Sequence, residues 1–380
     1  MHEKFAGIMA SDSDSEDAFV RAIEGAIARG VRAEDAASDA DVRAVGMRTC
    51  ARRTRRGDAA KAADALEFLG FTHRLSDRVL RYALPRDGLG DGERAEGGIV
   101  EARDGALEAR TLARLERAFA SETTSFWREH GYGSKTCGFF SYVHDLTLEP
   151  TSAMDVVALD VRAVAARAFP EAATARWCEW WAHRRPHESG HQMHFDSHDE
   201  GLNGIKHPIC SAVVYVDGSC GGPTLVTNQT DSRARLATRG WLVYPKTGRV
   251  ATFDGNYLHG VIPGRDEDAP EDPETRRVTV MFSFWRDMET HETWQPQGSA
   301  RPFPPPEASS TPGYAWRALF DLDDSEPAYR TRKDDDDFGV EALPHPVGAP
   351  WERIRLDEDR ASKRASRDAF PSYDACFQGF

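Results

Sequence analysis

Apolar positions change period along the chain, from helical spacing before Pro170 to alternation after Ala175. Phe19, Ile23 and Ile27 recur every four residues until Gly30, which predicts a helix with a glycine at its C-cap. A second helix is predicted from about Asp58 through Leu66 and Leu69 to Gly70, and a third starts at Leu112, Leu115 and Phe119 and runs towards Gly131. The clearest helix follows Ser152, an N-cap residue with Asp155 three positions on. Val157, Val161, Val164 and Ala168 form its apolar stripe, and Pro170 stops it. The Gly/Asp/Glu-rich stretch from Asp87 to Asp104 predicts a linker or exposed loop, and the arginines between 43 and 57 a solvated loop or helix face.

The alternating part predicts eight strands: Arg176–His183, His191–Asp196, Cys210–Val216, Thr224–Thr227, Trp241–Tyr244, Arg249–Phe253, Leu258–Ile262 and Arg277–Trp285. Turn signals separate them, among them Asp217-Gly218, Gly221-Gly222-Pro223 and Lys246-Thr247-Gly248. Many short strands at this spacing indicate a barrel or sandwich rather than βαβ units. Beyond Gln295 the chain turns Pro-rich and then acidic from Asp334 to Asp337, which reads as an appendage.

Composition narrows the function classes. With 62 acidic against 48 basic residues the formal net charge is −14, so a role built on gripping phosphate backbones is not expected. The surplus is uneven. Between Cys210 and Pro263 the acids are Asp217, Asp231 and Asp254, against Arg233, Arg235, Arg239, Lys246 and Arg249, so an anionic co-substrate could meet a locally basic site. The six cysteines include no CxxC pair, which fits a reducing compartment better than a disulfide scaffold or zinc ribbon. No apolar run is long enough for a membrane span. The acidic N-terminus has the wrong charge for a signal or transit peptide, so an intracellular, cytoplasmic location is expected.

Two metal motifs overlap where histidines cluster. His187-Glu188-Ser189-Gly190-His191 matches HExxH, the zinc-peptidase pattern, which needs a helix to project both histidines from one face. Gly190 and the extended look of Trp180-Trp181 argue against that helix. His194-Phe195-Asp196 is an HxD, and on a strand its first and third residues share a face. His259 lies on a later predicted strand, and Arg277 opens the last one. Two histidines and a carboxylate form the facial triad of non-haem Fe(II) oxygenases.

In this order the motifs resemble the Fe(II)- and 2-oxoglutarate-dependent dioxygenases, particularly the prolyl 4-hydroxylase-like branch. The carrying stretches are His194-Phe195-Asp196, Val214-Tyr215-Val216-Asp217, Gly221-Gly222-Pro223-Thr224-Leu225, His259-Gly260-Val261 and Arg277-Val278-Thr279. The resemblance implies an α+β fold: a double-stranded β-helix (jelly-roll, cupin-like) core with N-terminal supporting helices and a loop-rich C-terminal tail. It implies iron on His194, Asp196 and His259. It also implies 2-oxoglutarate on Arg277, with Thr279 and Tyr215 adding hydrogen bonds to the same carboxylate. Arg276 stays open as the alternative clamp, and the gap from His259 to Arg277 is longer than usual, filled by the acidic loop Gly264 to Thr275.

The implied reaction is hydroxylation of a C–H bond of a small-molecule or peptidyl substrate, coupled to oxidative decarboxylation of 2-oxoglutarate to succinate and CO2. It consumes O2, with ascorbate as a candidate reductant. The presence of Asp196 favours hydroxylation over halogenation. The division expected is a mainly helical region at 1–120, a dioxygenase domain at 121–299 with its β core at about 176–286, and an extension at 300–380. Two alternatives stay open: a zinc peptidase on His187, Glu188 and His191, and a non-catalytic jelly-roll binding module.

Overall fold

Helices stand where apolar residues recur at helical spacing. The helix Ala153–Ala168 starts with a complete capping box between Ser152 and Asp155, and it buries Val157, Val161 and Val164. Helices Ser13–Ala28 and Ala59–Phe68 stop two residues short of Gly30 and Gly70. The arginine-rich stretch belongs to the helix Ala40–Arg55, capped by the Asp39 side chain. The helix expected from Leu112 towards Gly131 is instead two, Ala109–Phe119 and Ser125–Glu129. The Ser/Thr cluster between them makes local hydrogen bonds, Ser121 Oγ accepting from the Thr123 amide, that compete with the helical ladder.

The structure is a computed structural model that describes residues 13–33, 35–85, 92–132, 139–198, 206–231, 235–294, 298–322, 330, 332, 336–354 and 373–380. The acidic N-terminal stretch to Asp12, Cys137, Arg233, Asp334 and Asp335 lie outside them. By internal contacts the chain divides into Met1–Gly88 with Thr227–Gly240 and Val347–Phe380, and Leu89–Val226 with Trp241–Pro346. The first unit has a core of Phe19, Ile23, Val42, Leu66 and Leu69, joined by Phe377.

Sixteen strands are seen among the described residues. They are β1 (His73–Leu75), β2 (Val100–Asp104), β3 (Tyr142–Asp145), β4 (Trp177–Pro186), β5 (His191–His194) and β6 (Cys210–Asp217). There follow β7 (Thr224–Thr230), β8 (Arg239–Val243), β9 (Arg249–Asp254), β10 (Tyr257–Val261) and β11 (Arg276–Trp285). The last are β12 (Arg301–Pro302), β13 (Val340–Glu341), β14 (His345–Gly348), β15 (Trp351–Arg353) and β16 (Cys376–Phe377). They form sheets in the orders β15-β1-β16, β14-β8-β7-β10-β5 and β12-β3-β4-β11-β6-β9-β2-β13. The result is a mixed α and β chain with large sheets. From β4 to β11 the strands enter the eight-, five-, eight-, five-, five-, eight-, five- and eight-stranded sheet in turn.

Val100 and Ala102, within the stretch expected to be a loop, alternate onto a buried face, and this lets β2 pair with β9. Strand β11 runs antiparallel to β4 on one side and β6 on the other. One face of this sheet carries Trp180, Ala212, Val214, Val280 and Phe282, which pack with the stripe of the helix Ala153–Ala168. Trp316 and Phe320, from beyond residue 300, are buried in that same core. On the other face Val213, Tyr215 and Phe253 meet Val226, Trp241 and Val243 of the five-stranded sheet. Strand parity thus sends alternate side chains of β4, β6 and β11 to a helix-covered core and to an inner face.

Candidate functional site

His194 and His259 are register partners on antiparallel β5 and β10, with their ring centroids 4.4 Å apart. His194 Nδ1–H donates to the Gln192 carbonyl at 2.8 Å, and His259 Nδ1–H to the Tyr257 carbonyl at 3.0 Å. A carbonyl can only accept, so each proton sits on Nδ1 and the Nε2 lone pairs are left exposed to the site. Both Nε2 atoms point at Asp196 Oδ1, at 3.5 and 3.6 Å. The other carboxylate oxygen, Oδ2, accepts a 2.5 Å hydrogen bond from Ser211 Oγ, which also meets Ser283 Oγ at 3.0 Å.

The donor atoms of His194, Asp196 and His259 lie within 4.8 Å of one another, and no other such group of His, Cys, Asp or Glu occurs among the described residues. Two lone pairs and a carboxylate oxygen that converge without a bridging hydrogen repel one another unless a cation lies between them. Burial pushes His259 down to about 4, which keeps it neutral as a ligand must be. At His194 burial is outweighed by the Asp196 carboxylate, which raises it, so a metal there displaces a proton. Burial raises Asp196, but His259, His194 and the Ser211 hydroxyl outweigh it and hold the carboxyl well below its usual range. The donor set therefore fits a borderline divalent metal. Asp196 itself lies two residues past the end of β5, not on the strand as expected. Pairing with β10 stops at His194, so the carboxylate reaches the site from the loop that follows the strand.

The triad opens on a cavity of about 630 Å³, mouth included, lined from both sheets. Arg277, Thr279 and Met281 alternate along β11 into it, beside Tyr215 of β6. Arg277 is only 4% exposed; its Nη1 donates to the Gly222 carbonyl at 3.0 Å, and no described carboxylate pairs with it. Gly221, at φ +88°, makes room for it: a Cβ there would lie 2.8 Å from Arg277 Nη1. Arg276 instead pairs with Glu274 at 3.0 Å and does not line the cavity. The Tyr215 hydroxyl lies 2.6 Å from Thr224 Oγ1.

The remaining histidines separate by function. His187 is buried, accepts from the Gly221 amide on Nδ1 and donates from Nε2 to the Arg265 carbonyl, so both nitrogens are used. Residues 187–191 form a turn and the start of β5, without the helix an HExxH site requires, and Glu188 faces solvent. His198 bonds the Glu289 carbonyl and His207 the Asp196 carbonyl, both as braces. His183 and His191 line the cavity beside the triad. Trp180 is core, whereas Trp181 lines the cavity.

Sequence reasoning missed Ser211, although its parity with Tyr215, four residues on along β6, places both on the inner face. His183 and Arg185 share a face of β4 with Trp181 in the same way. Arg277, Thr279 and Met281 are the register partners of Arg185, His183 and Trp181.

No family model and no curated protein matches the sequence. Among solved structures the chain is similar to a prolyl-4-hydroxylase from Pseudomonas putida, at 16% identity and a TM-score of 0.30, over 53% of this chain and 97% of that one. A viral collagen prolyl hydroxylase from Paramecium Bursaria Chlorella virus-1, solved with 2-oxoglutarate, aligns at 15% identity and TM-score 0.30, over 50% and 97%. HygX from Streptomyces hygroscopicus, solved with nickel and 2-oxoglutarate, aligns at 15% identity and TM-score 0.30, over 51% and 85%. In structure the chain is similar to prolyl 4-hydroxylases and other 2-oxoglutarate–Fe(II) oxygenases.

Proposed function

We propose that the chain is an Fe(II)- and 2-oxoglutarate-dependent dioxygenase that hydroxylates a C–H bond of an organic substrate, on a double-stranded β-helix. His194, Asp196 and His259 would hold the iron; Arg277, Thr279 and Tyr215 would hold 2-oxoglutarate. The observation that carries this reading is one cavity containing both a convergent His–Asp–His donor set and a buried guanidinium with no carboxylate partner among the described residues. A buried cation without a counter-charge is costly, and a planar guanidinium binds a carboxylate bidentately. The strand alternation from β4 to β11 between two sheets supports the β-helix.

Bound iron would supply dioxygen activation coupled to decarboxylation of 2-oxoglutarate to succinate and CO2. The chain's own residues do the arranging. The Gln192 and Tyr257 carbonyls fix which nitrogen of each imidazole faces the metal position, and Ser211 fixes the Asp196 carboxylate. Arg277, held by Gly222, orients the co-substrate's far carboxylate, while apolar Val213, Phe253 and Met281 limit water at the reacting centre.

The test is an anaerobic Fe(II) titration with 2-oxoglutarate, then admission of air with and without ascorbate. A weak visible charge-transfer band followed by succinate is expected, and both should be lost in Asp196→Ala but retained in Glu188→Gln. Absence of band and succinate in the unaltered protein would overturn the proposal.

A further inference from the structure

Arg185 of β4 and Arg277 of β11 are direct register partners on antiparallel strands, and both line the cavity that holds the triad. Like charges placed directly opposite each other on a sheet repel, and the field of Arg185 helps to lower Arg277, after burial. No described carboxylate is paired with either. The neighbouring Arg184 shows the ordinary arrangement: its side chain points away from the cavity and meets Glu122 at 3.1 Å.

The two arginines differ in depth. Arg277 is buried, whereas Arg185 is exposed, with its guanidinium carbon 5.8 Å from the Tyr132 ring centroid. Beside Arg185 at the cavity wall stand His183 and His191, 5.5 Å apart by ring centroids, and His191 stacks on the ligand-set residue His194 at 4.7 Å. The His183 Nε2 atom is buried without a hydrogen-bond partner among the described residues. Both imidazoles therefore offer polar ring atoms at the cavity wall next to Arg185. Among the described lining residues the arginines are Arg185 and Arg277, and a single small dicarboxylate clamped at depth by Arg277 leaves Arg185 unanswered.

Resting on the oxygenase reading above, we infer that Arg185 and the adjoining His183 and His191 select a primary substrate bearing an anionic group, a carboxylate or a phosphate, seated outside the 2-oxoglutarate position. Arg185 is the specificity-determining residue: it anchors the anion at the mouth, and the bond to be oxidised is placed over the triad.

The experiment is a titration of the full chain, loaded with redox-inert Zn(II) and saturating 2-oxoglutarate, with inorganic phosphate or acetate, followed by calorimetry. Saturable anion binding is expected alongside 2-oxoglutarate. It should weaken about tenfold or more in Arg185→Gln, from the loss of a charge-assisted contact, be partly restored in Arg185→Lys, and stay unchanged in Arg184→Gln. Whether phosphate or acetate binds more tightly distinguishes the two anion classes. No anion binding, binding indifferent to Arg185→Gln, or displacement of the anion by 2-oxoglutarate would each overturn the inference. A tenfold loss of 2-oxoglutarate affinity in Arg185→Gln would also overturn it, by making Arg185 a second clamp on the co-substrate. Failure of 2-oxoglutarate to bind at all would count against the oxygenase reading instead, because the anion titration is then read on the zinc-loaded chain alone.

Discussion

Ser211 donates a 2.5 Å hydrogen bond to Oδ2 of Asp196 and thereby leaves Oδ1 as the oxygen turned towards both histidine Nε2 atoms. The serine bonds one carboxylate oxygen and so decides that the other faces the two imidazoles, where the proposed metal would sit. Ser211→Ala should therefore weaken metal binding about tenfold or more, the usual cost of losing such a bracing contact. Competition titration with Zn(II) or Co(II) reads this directly. Unchanged affinity in the alanine variant would show that the Asp196 orientation is set elsewhere.

Gly221 and Arg277 give a second prediction. At φ +88° an alanine is strained, and its Cβ would lie 2.8 Å from Arg277 Nη1. The guanidinium is buried against the Gly222 carbonyl, so it cannot simply swing into water. Gly221→Ala should raise the KM for 2-oxoglutarate about tenfold while metal affinity stays within twofold. Equal losses in both would mean that the turn supports the whole site rather than the clamp.

The eight strands from β4 to β11 and the three donor residues were legible because a period of two and a short HxD motif are local signals. Arg277 over Arg276 was not decided locally, since parity needs a register, and the register comes from β4 and β6 on either side. Arg185 could not be told from Arg184 for the same reason, and Ser211 was hidden, because their meaning lies in the residue opposite, Arg277 for one and Ser283 for the other. The stretch to Asp104 looked like loop because Gly, Asp and Glu dominate it, yet Val100 and Ala102 suffice for a strand once β9 offers an edge. Trp316 and Phe320 were overlooked because a Pro-rich context masks two side chains whose burial depends on a distant sheet.

Asp155 ties the helix Ala153–Ala168 to the sheet. Its Oδ2 accepts from the Ser152 and Thr151 amides at 2.7 and 2.9 Å, and its Oδ1 accepts from His144 Nδ1–H. His144 Nε2 in turn accepts from the buried Trp180 indole at 2.9 Å, which fixes the tautomer. Asp155→Ala removes the carboxylate half of the capping box and strands a buried imidazole N–H, so it should cost about 3 kcal/mol. Ser152→Ala, which removes the hydroxyl's two bonds to Asp155 but leaves the His144 link, should cost about 1 kcal/mol. Urea denaturation of both variants compares them. Equal costs would show that the link through His144 adds nothing.

Glu179 of β4 provides a pH test of the eight-stranded sheet. It is buried, accepts a 2.5 Å hydrogen bond from Ser141 Oγ, and burial, which outweighs that bond, raises it to about 7 from 4.5. The folded chain therefore holds this proton over a window where the unfolded chain has lost it. The stabilisation is fully present below pH 4.5, falls as pH rises through the window, and is lost above about 7. Glu179→Gln keeps a neutral polar group at every pH and has no such titration. On the metal-free protein, the stability of the unaltered chain minus that of Glu179→Gln should fall by about 3 kcal/mol between pH 4.5 and 7.5. Subtracting the variant's curve cancels the groups not coupled to Glu179, which leaves Asp196 and His198 as its partners. Parallel curves would therefore mean that Glu179 is already ionised in the folded state near pH 5, with a compensating donor close to it.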